Sequence, residues 1–372
     1  MPLQQLFPVG HPAGKDDVVD REEFIGQVVD RLLTRNSVVL AAPRRLGKTS
    51  VAHEVLRRVR DEHDAYTVDL DLSEVSSLRE MADRLAAACL DNAPALRALG
   101  VAKEGLARLL RMPEVRTKFA EYEVSLGLNA PAAKQPVDLL LDAALRLPEQ
   151  MAKRDGRPFI VLLDEFQAAT GVGGPELLSR MRAVMQQQEH TSYLFLGSQA
   201  SLMAQLFGAG NQPFFRFATW LDLPPVPKGA WQSFIRGRLA GRGIHIEDAA
   251  LEAMLDYTGA HPSDTMEVAQ EAYLLGKRRR VIDGHLAVAV CASVQERLSL
   301  MFDMQVELFG LRARPLLGRI ANGLPVFEGE RSRDAVQRTL TSLVRAGVLA
   351  HVGHGRYDIT EPMLWRHFKN RG

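Results

Sequence analysis

The chain has 372 residues, 46% hydrophobic and 24% charged, with 46 Lys and Arg against 45 Asp and Glu for a formal net charge of +1. That length exceeds one ordinary core and points to two or three domains, and the balanced charge excludes a polycation built to coat nucleic acid. No apolar run approaches the ~18 residues of a membrane span, and the opening MPLQQLFPVGHPAGKDD lacks the basic start and apolar core of a signal peptide. Cys89 and Cys291 are the only cysteines and have no metal-ligand spacing, so a reduced, cytoplasmic setting is expected.

In chain order, residues 1 to 17 are rich in Pro and Gly and read as an irregular arm. A helix follows with Ile25, Val28, Val29 and Leu32 as its apolar stripe and Asp20 as its expected N-cap. Val38, Val39 and Leu40 form a β-branched run of the kind buried on both faces of a sheet. A sharp loop comes next, and the spacing of Val51, Val55, Leu56 and Val59 suits a helix starting at about Thr49. Strand, loop and helix in that order make an anion site, because the loop's N–H groups and the helix's N-terminal partial charge converge on one point. The loop reads Ala42-Pro43-Arg44-Arg45-Leu46-Gly47-Lys48-Thr49-Ser50, a G-x-x-x-x-G-K-T pattern with Ala42 in place of the first glycine. Lys48 is placed to reach the β and γ oxygens of a nucleotide, and the Thr49 hydroxyl to hold Mg²⁺. Ala42 tolerates a positive φ poorly, so the loop's opening turn is expected to differ or to carry strain.

Tyr66 to Leu70 reads as a second strand. Residues from about 76 to 150 are mainly helical, on the spacing of Leu78, Met81, Leu85 and Cys89 and then of Val137, Leu140, Leu141 and Ala144. Alternation at Tyr122, Val124, Leu126 and Leu128 suggests a small strand within them. Phe159 to Leu163 is another buried strand, and it delivers Asp164 and Glu165 to its carboxyl end, where ligands of open α/β sheets sit. Asp164 suits Mg²⁺, held directly or through its waters, and Glu165 suits the general base that deprotonates an attacking water. Pro175 opens a helix expected to reach Gln188. Tyr193 to Gly197 is the next strand, ending in Ser198 and Gln199, and Thr219 to Leu223 is the last. Alternating strands and helices predict a parallel sheet covered on both faces. From Gly229 no strand is expected for a long way; helices are predicted over Trp231–Leu239, Ala249–Tyr257 and Thr265–Gly276. Helices near Arg312–Ala321 and Asp334–Ala346, then Val348–Val352, a Gly-His-Gly turn and Arg356–Ile359, form a winged helix-turn-helix pattern.

With both phosphate motifs, the leading VVDREEF, the GSQ strand end and the C-terminal hairpin in this order, the whole chain resembles the archaeal-type ATPases. These belong to the P-loop group that includes the AAA+ and STAND ATPases, and their PRRxGKTS loop is matched by Pro43 to Ser50. The resemblance implies an α/β P-loop fold with five strands, the Asp164 strand being separated from the phosphate-loop strand by the one ending at Gly197. It further implies ATP and Mg²⁺ as ligands, and three regions: a core over 1–227 with a helical insertion at about 76–150, a helical lid over 228–305, and a winged helix over 306–372. Other positions match family features. Arg21 and Glu22 match the segment flanking adenine, or are an ordinary charged first turn. Ser198 and Gln199 occupy the place of the polar sensor, or simply end a strand. Arg216 lies near an arginine that reaches the γ-phosphate, although the family's preceding glycine is missing, and a structural arginine is the alternative. His261 and Pro262 match a nucleotide-sensing G-x-P turn, or cap a helix. Arg44 and Arg45 either reach phosphates or a neighbouring subunit, or are solvated.

Two outputs are open at this stage. One is a switch in which nucleotide state moves the lid and winged helix and so controls homo-oligomer assembly or a protein partner. The other is an ATP-regulated protein that binds duplex DNA through Arg331, Arg333, Arg338, Arg345, His351, His354 and Arg356, with Lys277 to Arg280 as a second cluster. A small-molecule kinase does not fit, since the C-terminal regions read as lid and interaction modules.

Overall fold

The computed structural model describes residues 5–92, 137–327, 332–353 and 355–369; the expected strand around Tyr122 to Leu128 lies outside them, as do Arg331 and His354. Five parallel strands, β1 (Val38–Ala41), β2 (Tyr66–Asp71), β3 (Phe159–Asp164), β4 (Thr191–Gly197) and β5 (Thr219–Leu221), assemble in the order β2-β3-β4-β1-β5. The strand ending at Gly197 therefore separates the loop strand from the Asp164 strand, as the family resemblance implies. Every residue of β1, β3 and β4 is buried, which is why these segments read as unbroken apolar runs. Register pairs Ala41 with Gly197 and Asp71 with Asp164, so the carboxyl ends of the strands lie level along one edge.

Helices cover both faces. On one, α1 (Glu22–Leu33) and α2 (Lys48–His63) pack Ile25, Val28, Val51 and Val55 against Leu40, Ile160, Leu162 and Leu194. On the other, α3 (Leu78–Leu90), α4 (Val137–Asp155) and α5 (Ala169–Met185) pack Met81, Leu85, Leu141 and Met181 against Val39, Val161 and Phe195. Alternate strand residues thus feed opposite layers. Three local expectations change. Asp20 does not cap α1: it sits at φ 51°, and Arg21 takes the cap position without a side-chain capping bond. Pro175 opens only the straight part of α5, after a kink at Gly174 (φ 61°), and the helix stops at Met185. β5 ends at Leu221.

Beyond α6 (Ala200–Gly208) and β5 come α7 (Lys228–Ala240), α8 (Asp248–Thr258), α9 (Pro262–Gly276) and α10 (Gly284–Glu307). Two short strands, β6 (His245–Ile246) and β7 (Val281–Ile282), pair in parallel here, against the expectation of none; two residues are too few to show a period. The 24-residue α10 is also new, because apolar residues such as Val288, Leu300 and Met304 lie on its exposed side and blur the buried stripe of Leu286, Val290, Val294, Leu298 and Phe302. The winged helix follows as α11 (Ala313–Ala321), α12 (Arg333–Arg345), the antiparallel pair β8 (Leu349–Gly353) and β9 (Arg356–Ile359), and an unanticipated α13 (Pro362–Lys369). Met363, Leu364 and Phe368 of α13 join Phe302, Leu317 and Val336 in one core, which continues to Trp231 and to Phe7 of the N-terminal arm. No helix among the described residues is long and apolar enough to cross a membrane.

Candidate nucleotide-binding site

The loop after β1 begins with the Ala42 N–H donating to the Gly197 carbonyl at 3.2 Å, which prolongs the sheet by one residue. Ala42 keeps a negative φ, so the expected strain is absent there; the left-handed residues are Arg45 (φ 65°) and Gly47 (φ 89°). Gly47 ends the loop, nothing approaches the position of an added Cβ there, and α2 starts at Lys48 with no side-chain cap on its first-turn N–H groups. Lys48 is buried, and its Nζ donates to the carbonyls of Ala42 and Pro43 at 2.7 Å each. Burial pulls its pKa down to about 8, against the opposing pull of the Glu165 and Asp164 carboxylates. A desolvated ammonium above a helix N-terminus favours an incoming polyanion.

β3 brings the acidic pair to the same place. The Thr49 hydroxyl donates to Asp164 Oδ2 at 3.0 Å, across 115 residues of sequence. Burial raises the Asp164 pKa, while the Glu165 N–H and the Thr49 hydroxyl hold it partly down. A hydroxyl and a carboxylate side by side are hard oxygen donors of the kind Mg²⁺ takes, one or two from protein and the rest from phosphate and water. The residues therefore fit the ion, which Thr49 and Asp164 would hold. No group of three or more His, Cys, Asp or Glu that could hold a metal occurs among the described residues, which leaves most of the ion's shell to phosphate and water.

Glu165 follows in a left-handed conformation (φ 48°), which turns its carboxylate toward β4. Ser198 donates to Glu165 Oε2 from its hydroxyl at 2.7 Å and from its N–H at 3.3 Å, and Gln167 Nε2 donates to the same oxygen. Ser198 is thus in contact with Glu165, whereas Gln199 heads α6 and its side chain makes no hydrogen bond among the described residues.

A cavity of about 490 Å³ opens beside the loop, a volume within the ordinary range of small-ligand pockets. Its walls are Leu46 to Val51, the apolar Val18, Val19, Val226, Trp231 and Met266, and residues Pro8 to Ala13 of the arm. The arm is tied down at both ends: the Ala13 N–H donates to Ser50 Oγ at 2.9 Å and the Phe7 N–H to Gln270 Oε1 at 3.0 Å. Arg21 lines the cavity and is 5% exposed, and its Nη1 has no hydrogen-bond partner. Burial lowers its pKa, as expected for a cation waiting for an anion or an acceptor ring.

The remaining sequence candidates divide. Pro262 lines the cavity, at the start of α9. His261 is buried just behind it with both ring nitrogens unsatisfied, 3.6 Å from Asp264, too far for a hydrogen bond. Arg44 is exposed. Arg45 lines the cavity, and its Nη1 meets Glu361 Oε2 at 2.7 Å, 316 residues away at the foot of the winged helix. Arg216 does not line the cavity; it is exposed at φ 53° with its guanidinium 5.2 Å from the Phe215 ring. Arg333, Arg338, Arg345 and Arg356 are all exposed. As site residues, Glu361, Gln167, Trp231 and the arm escaped the sequence reading, which placed Trp231 only on a helix and the arm only as an irregular segment.

Sheet order, loop and strand end together define the class: an α/β P-loop fold, with a helical region and a winged helix attached. Among solved structures, the chain is similar to a Walker-type ATPase of Pyrococcus abyssi, with TM-score 0.70 and 16% identity over 98% of this chain and 99% of that one. It is similar also to the ORC2 protein of Aeropyrum pernix in ADPNP–ADP complexes (TM-score 0.56, 13% identity, 99% and 97% covered). A third similar structure is the ORC1 protein of Aeropyrum pernix in complex with DNA (TM-score 0.51, 13% identity, 95% and 93% covered). No protein-family model matches the chain, and no curated protein sequence matches it.

Proposed function

We propose that the protein binds ATP with Mg²⁺, hydrolyses it, and uses its nucleotide state to set the position of the winged helix and hence assembly or partner binding. The regions that would move are the lid at 228–305 and the winged helix at 306–372, against a core at 1–227, in a reducing cytoplasmic setting. Val19, Trp231 and Met266, which line the cavity under the arm, would hold the adenine, and the loop residues up to Lys48 would hold the phosphates. When bound, Mg²⁺ supplies charge neutralisation at the phosphate oxygens. Lys48 exchanges two carbonyl partners for phosphate oxygens, and Glu165 accepts the proton of the attacking water beside Ser198.

The observation that carries the switch is the Arg45–Glu361 bridge. It joins the phosphate loop itself to the winged helix, and around it the Met363 N–H donates to Asp264 Oδ2 at 3.2 Å. An added Cβ at Gly347 would stand 3.4 Å from the Ser198 carbonyl, so the winged helix also abuts the residue that touches Glu165. A γ-phosphate competing for Arg45 would weaken the dock.

Lys48→Ala is expected to abolish tight ATP binding in calorimetry; unchanged affinity sinks the loop assignment. Glu165→Gln is expected to bind ATP and to lose roughly 10²- to 10⁴-fold in turnover, and a parental rate removes Glu165 as base.

Duplex DNA is a second reading, supported by Arg333, Arg338 and Arg356, exposed on the winged helix without an ion-pair partner among the described residues. Binding of the ATP-loaded Glu165→Gln protein to a duplex, measured across a salt series, decides it: a log-log slope near 0.9 per phosphate contact supports DNA, and no binding at low salt leaves a protein partner or a homo-oligomer.

A further inference from the structure

Gln167 lies two residues after Glu165, is buried, and donates from Nε2 to Glu165 Oε2. Its own Oε1 has no hydrogen-bond partner, an uncommon state for a buried amide and one that calls for a compensating role. Space for that amide exists only because residue 197 is glycine: an added Cβ there would stand 2.8 Å from Gln167 Oε1 and 2.3 Å from Met203 Cγ. The Thr170 hydroxyl donates to the Gln167 carbonyl at 2.7 Å and fixes the turn that carries it.

All three donors near the Glu165 carboxylate meet one oxygen. Ser198 supplies two from β4's end, and Gln167 supplies the third from the turn after β3. An ionised carboxylate oxygen accepts about two hydrogen bonds comfortably, so Oε2 is fully used and Oε1 is left for water. Removing Gln167 leaves only Ser198, whose two donors lie on one side and permit the carboxylate to rotate about its χ3, which is a soft torsion.

We infer that Gln167 is a positioning residue for ATP hydrolysis: together with Ser198 it pins Glu165 Oε2 and so aims Oε1 at the attacking water. This rests on Glu165 being the base. The residue does not touch substrate; it acts through Glu165 alone, and its unsatisfied Oε1 is retained because the donor end is needed.

The test uses full-length Gln167→Leu and Gln167→Met, similar in size to glutamine and without a donor, alongside the parent, Glu165→Gln and the double variant Glu165→Gln/Gln167→Leu. Steady-state and single-turnover ATP hydrolysis are measured together with ATP affinity and thermal unfolding. Both single variants are expected to lose about 10- to 100-fold in kcat, the effect of an ångström-scale misplacement, with KM and ATP affinity unchanged. Their melting temperature should hold or rise, because an unpaired buried carbonyl has gone. The double variant should be no slower than Glu165→Gln, the non-additivity of residues that act as a unit. Parental kcat in both Gln167 variants overturns the inference, as does a further loss on top of Glu165→Gln. If the parent hydrolyses no ATP, or Glu165→Gln keeps the parental rate, the function proposed above has failed instead, so the two failures are distinguishable.

Discussion

Arg45→Met should release the winged helix, and Glu361→Gln should not, although both break the same ion pair. The Glu361 side chain is 7% exposed and that of Arg45 is 40% exposed, so the carboxylate bears most of the desolvation. Burial is the leading influence on Glu361 and raises its pKa, Arg45 pulls it back, and Asp264 pushes it further up. Taking away Arg45 leaves a buried carboxylate facing a second acid. Removing one member of a fully buried pair costs about 3–5 kcal/mol, and exposed pairs contribute about 0–1 kcal/mol. With Arg45 partly in water, roughly 1–3 kcal/mol is the reasonable range, a 5- to 150-fold shift of the docking equilibrium. Glutamine at 361 removes the desolvated charge and still offers Arg45 an amide oxygen, so its effect should be within about 1 kcal/mol. Arg45→Met combined with Glu361→Leu should restore docking, since no buried carboxylate is left unpaired. Fluorescence transfer between dyes on cysteines placed at Gln187 and Ser342, both exposed, reports the separation of core and winged helix in nucleotide-free protein. The native Cys89 and Cys291 are buried with raised pKa values and stay unlabelled. Equal transfer in Arg45→Met and parent would refute the reasoning, and so would opening by Glu361→Gln as large as that by Arg45→Met.

Arg21→Met is expected to stabilise the nucleotide-free protein by about 1–3 kcal/mol in denaturant titrations, by removing a buried cation with an unpaired Nη1, while weakening ATP binding in calorimetry; destabilisation would show that Arg21 is structural. Lys48, ordinarily titrating near 10.5, titrates at about 8 in the folded protein. Between those two values the unfolded chain holds the extra proton, so this residue makes stability rise with pH across that window; below about 8 its burial is a constant cost. ATP should restore the charge, so binding at pH 9 should take up close to one proton, read as a dependence of the calorimetric enthalpy on buffer ionisation that falls away by about pH 7, where Lys48 is already protonated. Gly197→Ala should cost about 1–3 kcal/mol in chemical denaturation, because the added methyl meets Met203 Cγ at 2.3 Å and Gln167 at 2.8 Å; a neutral result would mean that α6 yields easily.

Local chemistry explains what was legible from the chain alone. Gly47, Lys48 and Thr49 between a β-branched run and a 3.6-residue period specify strand, loop and helix, because only glycine accepts φ 89° at that turn. Phe159 to Asp164 reads as a buried strand ending in an acid, because a strand covered on both faces admits only apolar residues until it emerges. The parallel sheet and the winged-helix hairpin followed from such patterns. The positions of single side chains relative to distant ones did not. Arg45 and Glu361 are 316 residues apart, and nothing near either one marks the pair. For Ala42 the chain alone left open a different opening turn or a strained one; the structure gives it no positive φ, joins its N–H to the Gly197 carbonyl, and has the left-handed residues at Arg45 and Gly47. Arg216 matched its family position only loosely, and the fold leaves it on the surface. Gln167 looked like any polar residue after a strand, and became notable only when β4 brought Ser198 to the same carboxylate oxygen. Backbone conformation is set by neighbours a few residues away, which a sequence displays; which charges lose their water, and which partners then meet them, is decided by packing between segments that only the tertiary structure brings together.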